Sequence, residues 1–300
     1  MEHKRVFALG FFDGVHLGHQ VLLAECVRLA KELDCETAAI TFEGHPQSLF
    51  VQDPPLLLTT VRDRFRLLMM YGIDHVYPFP VTEQVMSTPW QDFLEQLLEY
   101  GGAGFVCGHD FRFGKRGEGT AEKLLRFCEE RNLPCVIVPE QKLDGVRISS
   151  SHIRGKIEAG DMATAVWYLG HGHMLTGTVV PGRKLGHKLG FPTANVELPE
   201  GVIVPRHGVY ACRVYVDGKG AQADGKCYLA VTNVGNRPTV EGHQIRTETW
   251  LLDFSGDLYG KSVTLEFLYF LRPEKRFDSL EELKAAVEQD ARRAREYFGK

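Results

Sequence analysis

The chain has 300 residues, enough for two domains with separate cores, and its 44% hydrophobic and 25% charged residues match a soluble globular protein. Its net charge of −4 divides into 17 basic against 23 acidic residues over 1–170, and 18 against 16 over 171–300, so neither half has the basic excess of a general nucleic-acid binder. The chain contains no apolar run of the ~18 residues that a membrane span needs, and its seven scattered cysteines form no CxxC pair, which disfavours disulfide frameworks and zinc ribbons and favours reduced thiols in the cytoplasm.

The opening "MEHKRVFALGFFDG" runs straight into a strand and carries no signal-peptide pattern. Up to about residue 140, short apolar runs alternate with amphipathic stretches. "RVFALG" reads as a buried strand, and "HQVLLAECVRLAKEL" as a helix with apolar residues three and four apart. "TAAITF" is the next strand, "VRDRFRLLMMYG" a helix stopped by Gly72, and "HVYPF" a further strand. "PWQDFLEQLLEYG" has proline at a helix start and glycine at its end; "GFVCG", a helix over "TAEKLLRFCEERN", and "PCVIVP" continue the series. This alternation predicts a Rossmann-like parallel sheet covered by helices on both faces, with right-handed crossovers.

After "VRISSSHIRGKIEAGDMATAVWYLGH" the rhythm changes. "MLTGTVV", "GVYACRVYV", "KCYLAVTNV", "TETWLLDF" and "SVTLEFLYFL" are strand-like and joined by turns without helices, which predicts an antiparallel unit small enough to close as a barrel. A last helix follows, opened by the capping-box pair Ser279 and Glu282 and stopped near Gly299. The predicted boundary falls near residues 168–174, giving domains 1–170 and 171–300.

Two constellations carry chemistry. In "LGFFDGVHLGH" a strand ends at Gly10, the chain turns at Asp13-Gly14, and a helix starts near His16 to Gly18. A helix start behind a parallel strand turns free N–H groups and a positive dipole end toward a ligand crevice, and His16 and His19 share one face there. Taken alone, the histidine pair reads as a helix cap or local packing, and a metal would need further ligands that do not cluster nearby. "CGHDFRFGKRGEGT" mixes aromatics, glycines and basic residues in a way that suits a flat ring and phosphates. In "RISSSHIRG", Ser150 and Ser151 can cap a helix while donating to phosphate oxygens, and Arg154 can neutralise charge. In the second half, "GRKLGHKLGFPTANV" sets three glycines before Thr193 and Asn195, neutral oxygen ligands of the kind Mg²⁺ accepts, and no Walker motif is present. Glu248 in "TETWLLDF" shares a strand face with Trp250 and Leu252, which predicts partial enclosure. The His171 and His173 pair in "HGH" has no partner ligands in the sequence and reads as solvated.

Together, "GxFDGVHxGH", "GxDFRFG" and "ISSSxIR" in this order resemble the adenylyltransferase module of prokaryotic bifunctional riboflavin kinase/FAD synthetases, over roughly residues 5–168. "LGFPTAN", "GVYA", "TNVGNRPT", "ETWLLDF" with "DLYG", and "LRPEKRFDSLEELKAAVEQDARRAR" resemble the riboflavin kinase module of the same family, over about 174–298. The resemblance implies a six-stranded antiparallel barrel, phosphorylation of riboflavin by ATP to FMN, and adenylylation of FMN to FAD with release of pyrophosphate. It implies that His16 and His19 stabilise charge on the triphosphate. Gly10, Phe12, Asp13, Gly18, Ser150, Ser151 and Arg154 would hold the nucleotide and phosphates of the first site, and Gly186 and Gly190 those of the second. Asp110, Phe111 and Arg295 would lie near the flavin, Glu248 would act as base, and Thr193 and Asn195 would hold Mg²⁺.

Gly44, His187 and Trp250 depart from the usual family residues, as does the linker "LGHGHML". The rival readings are a single-activity adenylyltransferase with an impaired barrel, a flavin-binding regulator without turnover, and a class I aminoacyl-tRNA synthetase suggested by "HLGH". The last lacks a KMSKS-type loop and a tRNA-binding domain. The partners expected are the small molecules riboflavin, FMN and ATP, with neither nucleic acid nor membrane; oligomeric state is open.

Overall fold

The computed structural model describes residues 4–182, 190–216, 227–239 and 242–299. Contacts divide the chain into two compact units, one running to Leu57 and over Val61–Ser150, the other comprising Leu58–Thr60 and the chain from Ser151 onward.

The first unit follows the alternating pattern. Strand β1 (Arg5–Leu9) leads into helix α1 (Leu17–Leu33), then β2 (Glu36–Phe42), α2 (Val61–Met70) and β3 (His75–Phe79). The short helix α3 (Glu83–Met86) and α4 (Trp90–Glu99) precede β4 (Gly102–Gly108), two short strands β5 (Arg112–Phe113) and β6 (Gly119–Thr120), α5 (Ala121–Glu130) and β7 (Cys135–Val138). The five main strands pair in the order β3-β2-β1-β4-β7, all parallel. β1 lies at the centre and is apolar and buried from Val6 to Leu9, because a parallel sheet covered on both faces has no wet side. Phe7, Leu9, Ile40, Phe93, Phe105 and Leu124 pack one face into a core. The glycine-rich "FRFGKRGEGT" is not a plain loop: β5 and β6 pair as a small antiparallel ladder, and "QKLDGVR" forms another, β8 (Lys142–Leu143) with β9 (Val146–Arg147).

Ser150 ends the first unit and opens α6 (Ser150–Ala159); in the second unit the rest of α6 and α7 (Met162–Leu169) precede a closed barrel ordered β10-β11-β14-β13-β12-β15. Its strands are β10 (His173–Val180), β11 (Thr193–Glu197), β12 (Gly208–Val216), β13 (Cys227–Thr239), β14 (Gly242–Leu251) and β15 (Ser262–Arg272). The strand that hydrophobic pattern alone does not reveal is β11, which is only five residues long and reads "TANVE". Thr232, Thr247 and Thr249 are sealed on the buried side of β13 and β14, with Thr232 bonded to Thr249 at 3.1 Å. The last helix, α8 (Leu280–Tyr297), is capped by Ser279 and covers the opposite side of the sheet wall through Val209, Ala211, Val231, Leu252, Ala291 and Ala294.

Of the two linker histidines, His173 is not solvated, and His171 is partly exposed. His173 is buried and its Nε2 pairs with the Ile203 carbonyl at 3.0 Å, while the Gly172 N–H donates to Glu266 at 3.1 Å. The alternation of β10 turns His173 inward, which the local sequence "HGH" does not reveal.

Candidate active sites

The turn between β1 and α1 is the most constrained backbone of the first unit. Phe12 has φ +56, Gly14 φ +82 and Val15 φ +40, so two side-chain-bearing residues occupy a region that L-residues rarely visit. Four carbonyls of the turn are engaged. Phe11 O accepts from Thr41 Oγ1 at 2.7 Å, Phe12 O from the Val15 N–H at 3.1 Å, Asp13 O from Ser150 Oγ at 2.9 Å, and Val15 O from Gln20 Nε2 at 2.9 Å. The hydroxyl proton of Ser150, the first residue of α6, is thus committed to the turn.

His16 is the N-cap of α1, and its Nδ1 accepts from the His19 N–H at 3.3 Å. The two imidazoles stack with centroids 3.7 Å apart and planes 10° apart. A Cβ on Gly18 would stand 3.2 Å from His16 Cε1, so glycine leaves room for the stack. Capping and local packing therefore both hold for this pair: His16 caps the helix and stacks on His19.

Burial, then the neighbouring His16 and Arg64, push His19 well below the usual imidazole pKa of 6.5, so the ring is neutral at neutral pH. Its Nδ1 is sealed without a hydrogen-bond partner. A second proton would bury a bare N–H, so the single proton belongs on Nε2.

A cavity of about 340 Å³ opens beside this pair. Gly10 and His19 line one part of its wall and Asp110 and Phe111 another, and Phe11, Phe42, Phe79, Phe93 and Phe113 make it aromatic. Phe111 and Phe113 stack with centroids 5.4 Å apart. Asp110 is ion-paired to Arg147. A slot with flat aromatic walls and a few polar groups is suited to a planar ring carrying a polar tail.

Other first-site candidates are placed differently. Phe12 turns its ring into the core beneath His19, with centroids 5.3 Å apart, leaving its backbone for any ligand. The side chains of both Asp13 and Arg64 are 0% exposed, and Arg64 Nη2 lies 3.7 Å from Asp13 Oδ1. Ser151 and Arg154 follow Ser150 along α6 in the second compact unit. Arg64 is the residue that motif reading missed, and the mixed charges of "VRDRFRLL" gave no sign of which arginine turns inward.

In the barrel, β11 pairs with β14 so that Thr193 faces Trp250 and Asn195 faces Glu248; β13 brings Asn233 opposite Glu248 from the other side. Residues directly opposite share a face, so these side chains form one patch. A cavity of about 250 Å³ is lined by Thr193, Asn233, Glu248, Trp250, Arg272 and Phe277, among others. A second, of about 440 Å³, lies on the far side of Thr193, between it and the Phe254–Tyr259 loop. Thr193 alone of the candidate residues lines both. Glu248 itself is exposed rather than partly enclosed. Its face looks outward from the barrel; α8 covers Leu252 on that face but leaves the rim beside Glu248 open.

Asn195 is buried, and Gly182 lies so close to it that an added Cβ would stand 2.0 Å from Nδ2, which fixes the amide. Gly190 has φ +86 and open space around it, while Gly186 and His187 fall outside the described residues. Arg295 does not line the Glu248 cavity; it pairs with Asp253 at 3.0 Å. Arg272 and Asp290 line it instead, Arg272 Nη2 donating to Asp290 Oδ2 at 2.8 Å. The seven cysteines are all free thiols, and among the described residues no group of three or more His, Cys, Asp or Glu side chains is placed to hold a metal.

Comparison with known proteins gives the same division. A family model described as FAD synthetase matches residues 1–152, and one described as riboflavin kinase matches 169–298. A Listeria monocytogenes bifunctional riboflavin kinase/FMN adenylyltransferase is 33% identical over 99% of this chain and 93% of its own. The protein of that name from Escherichia coli K12 is 36% identical over 98% and 93%. Among solved structures, one titled macrolide-efflux protein from Streptococcus pneumoniae superimposes with a TM-score of 0.85 at 29% identity, over 98% of this chain and 95% of that one. Among the described residues of this chain, no helix is long and apolar enough to cross a membrane.

Proposed function

The chain belongs to the bifunctional riboflavin kinase/FMN adenylyltransferase family, and we propose that it makes FAD from riboflavin in two ATP-dependent steps at two separate sites. The observation that carries this reading is that each half holds its own cavity, walled by its own set of motif residues. Residues 1–170 would carry the adenylyl transfer and 171–300 the kinase. ATP use in both steps supports a cytoplasmic setting.

In the kinase step the 5′-hydroxyl of riboflavin attacks the γ-phosphorus of ATP and ADP departs. Riboflavin occupies the cavity walled by Trp250 and Phe277, and the nucleotide the one beyond Thr193, so that transfer crosses at Thr193. Glu248, at the rim of the flavin cavity, takes the hydroxyl proton as the oxygen attacks. Thr193 and Asn195 fit Mg²⁺: they are neutral oxygen donors two residues apart on one strand, and a metal that keeps waters and phosphates needs only one or two protein ligands. When bound, Mg²⁺ screens the charge of the phosphates.

In the second step a phosphate oxygen of FMN attacks the α-phosphorus of ATP and pyrophosphate departs. The flavin lies against Phe111 and the aromatic wall. His19 donates through Nε2 to the phosphate chain, and Gly10 and the backbone of Phe12 lie along it. His16 holds His19 in place by stacking and by capping. The same reading keeps Ser151 and Arg154 for the phosphates, with Ser150 offering its backbone N–H there while its hydroxyl holds the turn at Asp13 O. Such transfers depend on positioning and electrostatics, so no covalent intermediate is required.

Separation of function tests the assignment. Glu248→Gln should slow riboflavin phosphorylation by about 10²–10⁴-fold while FMN is still converted to FAD. His19→Gln should give the reverse pattern. A chain in which either substitution abolished both reactions equally would refute two independent sites.

A further inference from the structure

Arg64 is a fully buried arginine that no motif reading singled out, and it stands directly behind the turn that carries the histidines. Its Nη1 donates to Phe42 O at 2.6 Å and to Thr41 Oγ1 at 3.0 Å, and Thr41 Oγ1 in turn donates to Phe11 O at 2.7 Å. Its Cζ lies 4.6 Å from the centre of the Phe11 ring, and its Nη2 faces Asp13 Oδ1 at 3.7 Å. One guanidinium from α2 therefore touches the end of β2, the ring of Phe11 and the side chain of Asp13. Those contacts bracket Phe12, the first residue of the turn with positive φ.

An ion pair this deeply buried is a costly way to gain stability, and apolar residues of similar volume often serve as well or better. Strained backbone persists only where its surroundings over-determine it. The geometry points to Arg64, acting through Thr41 and Asp13, as a positioning residue for adenylyl transfer, a clamp that holds the Phe11–Val15 turn so that His16, stacked on His19, keeps the His19 ring aimed into the cavity. This rests on the adenylyltransferase reading given above. The clamp has an electrostatic side. The charged and titratable groups around His19 are His16 on its own helix start, Arg64 and Asp13 behind the turn, and Asp110 and Arg112 along the cavity. Of these, His16 and Arg64 disfavour a proton on His19. Removing Arg64 takes away one of those positive charges and loosens the stack.

The experiment compares Arg64→Met, Arg64→Lys and Thr41→Val in the full chain, measuring FMN-to-FAD and riboflavin-to-FMN turnover in the same preparations. A misplacement of about 1 Å at a reacting group can cost ~10²-fold. Arg64→Met should therefore lower kcat for FAD formation by about a hundredfold with KM for FMN and ATP little changed and riboflavin phosphorylation intact. Arg64→Lys should recover roughly tenfold of that loss by restoring the charge. Thr41→Val, which keeps shape and charge balance and so folds even if the arginine variants do not, should cost about tenfold in the same kcat. Independently of turnover, the His19 ring signal, identified by its loss in His19→Gln, should titrate at higher pH in Arg64→Met than in the parent chain. If Thr41→Val keeps the parental kcat, or the His19 titration is the same in Arg64→Met and the parent, the clamp is refuted. If the parent makes no FAD from FMN, the adenylyltransferase reading fails, and the His19 titration still decides the clamp.

Discussion

The Arg272–Asp290 pair ties α8 to the end of β15 beside the Glu248 cavity, and its two halves should not be equally expendable. Arg272 Nε donates to both carboxylate oxygens at 3.0 Å, and Nη2 adds a third contact at 2.8 Å. The side chain of Asp290 is 3% exposed, whereas that of Arg272 is 23% exposed and also reaches Pro273 O at 3.1 Å. Arg272→Met leaves a sealed carboxylate without its partner, a loss of about 3–5 kcal/mol for a broken buried pair. Asp290→Asn leaves a guanidinium that still has water, a carbonyl and one amide oxygen, a loss of about 1–2 kcal/mol. The double variant Arg272→Met/Asp290→Leu removes both charges and should fall within about 1 kcal/mol of the parent. Urea unfolding followed by Trp250 fluorescence, with Trp90 and Trp167 replaced by Phe, reads the barrel alone. A cost for Asp290→Asn equal to or above that for Arg272→Met would show that exposure of the remaining charge does not govern the pair. A double variant as unstable as Arg272→Met would show that packing, not desolvation, dominates.

Two further outcomes concern the first unit. Gly114 has φ +70 and an added Cβ would stand 2.6 Å from Trp90 Cα, so Gly114→Ala should destabilise the first unit by about 2 kcal/mol or more, read as a lower melting temperature for FMN adenylylation with riboflavin phosphorylation unchanged. His19, held well below 6.5 when folded, takes up a proton on unfolding but not in the native state once the pH falls below 6.5. Its contribution to stability is therefore intact above 6.5 and declines as the pH drops, at up to about 1.4 kcal/mol per pH unit until the folded ring itself is protonated. Urea midpoints of the parent should fall more steeply between pH 6.5 and 5 than those of His19→Gln; parallel curves would refute the neutral-ring assignment.

How much of this was legible in the sequence depended on whether a feature is local. The β1–turn–α1 unit was, because an apolar run, a glycine turn and a helical period lie next to each other in the chain, and the histidine pair is fixed by spacing alone. The six-stranded count came from family resemblance: β11 is short, and its Thr, Ala and Asn carry no strong strand signal. Asp13 was assigned to the nucleotide because it stands in the motif, yet its carboxylate faces Arg64, a partner 51 positions away that no local pattern predicts. The same holds for Ser150, whose hydroxyl reaches a turn 137 residues earlier. For Glu248 the alternation of β14 correctly grouped it with Trp250 and Leu252, but strand period cannot say whether that face looks into a barrel or out of it. Here it looks out, and only the covering helix decides which of the three is buried.

The central claim is that one chain carries out both steps in order. The most direct measurement is a time course of the purified full-length protein with riboflavin, ATP and Mg²⁺, separating FMN and FAD by chromatography. The account predicts that FMN appears first and FAD follows at its expense, and that FMN supplied in place of riboflavin yields FAD without a lag. FMN that accumulates without FAD, FAD formed only when FMN is supplied, or no product from either start would contradict it.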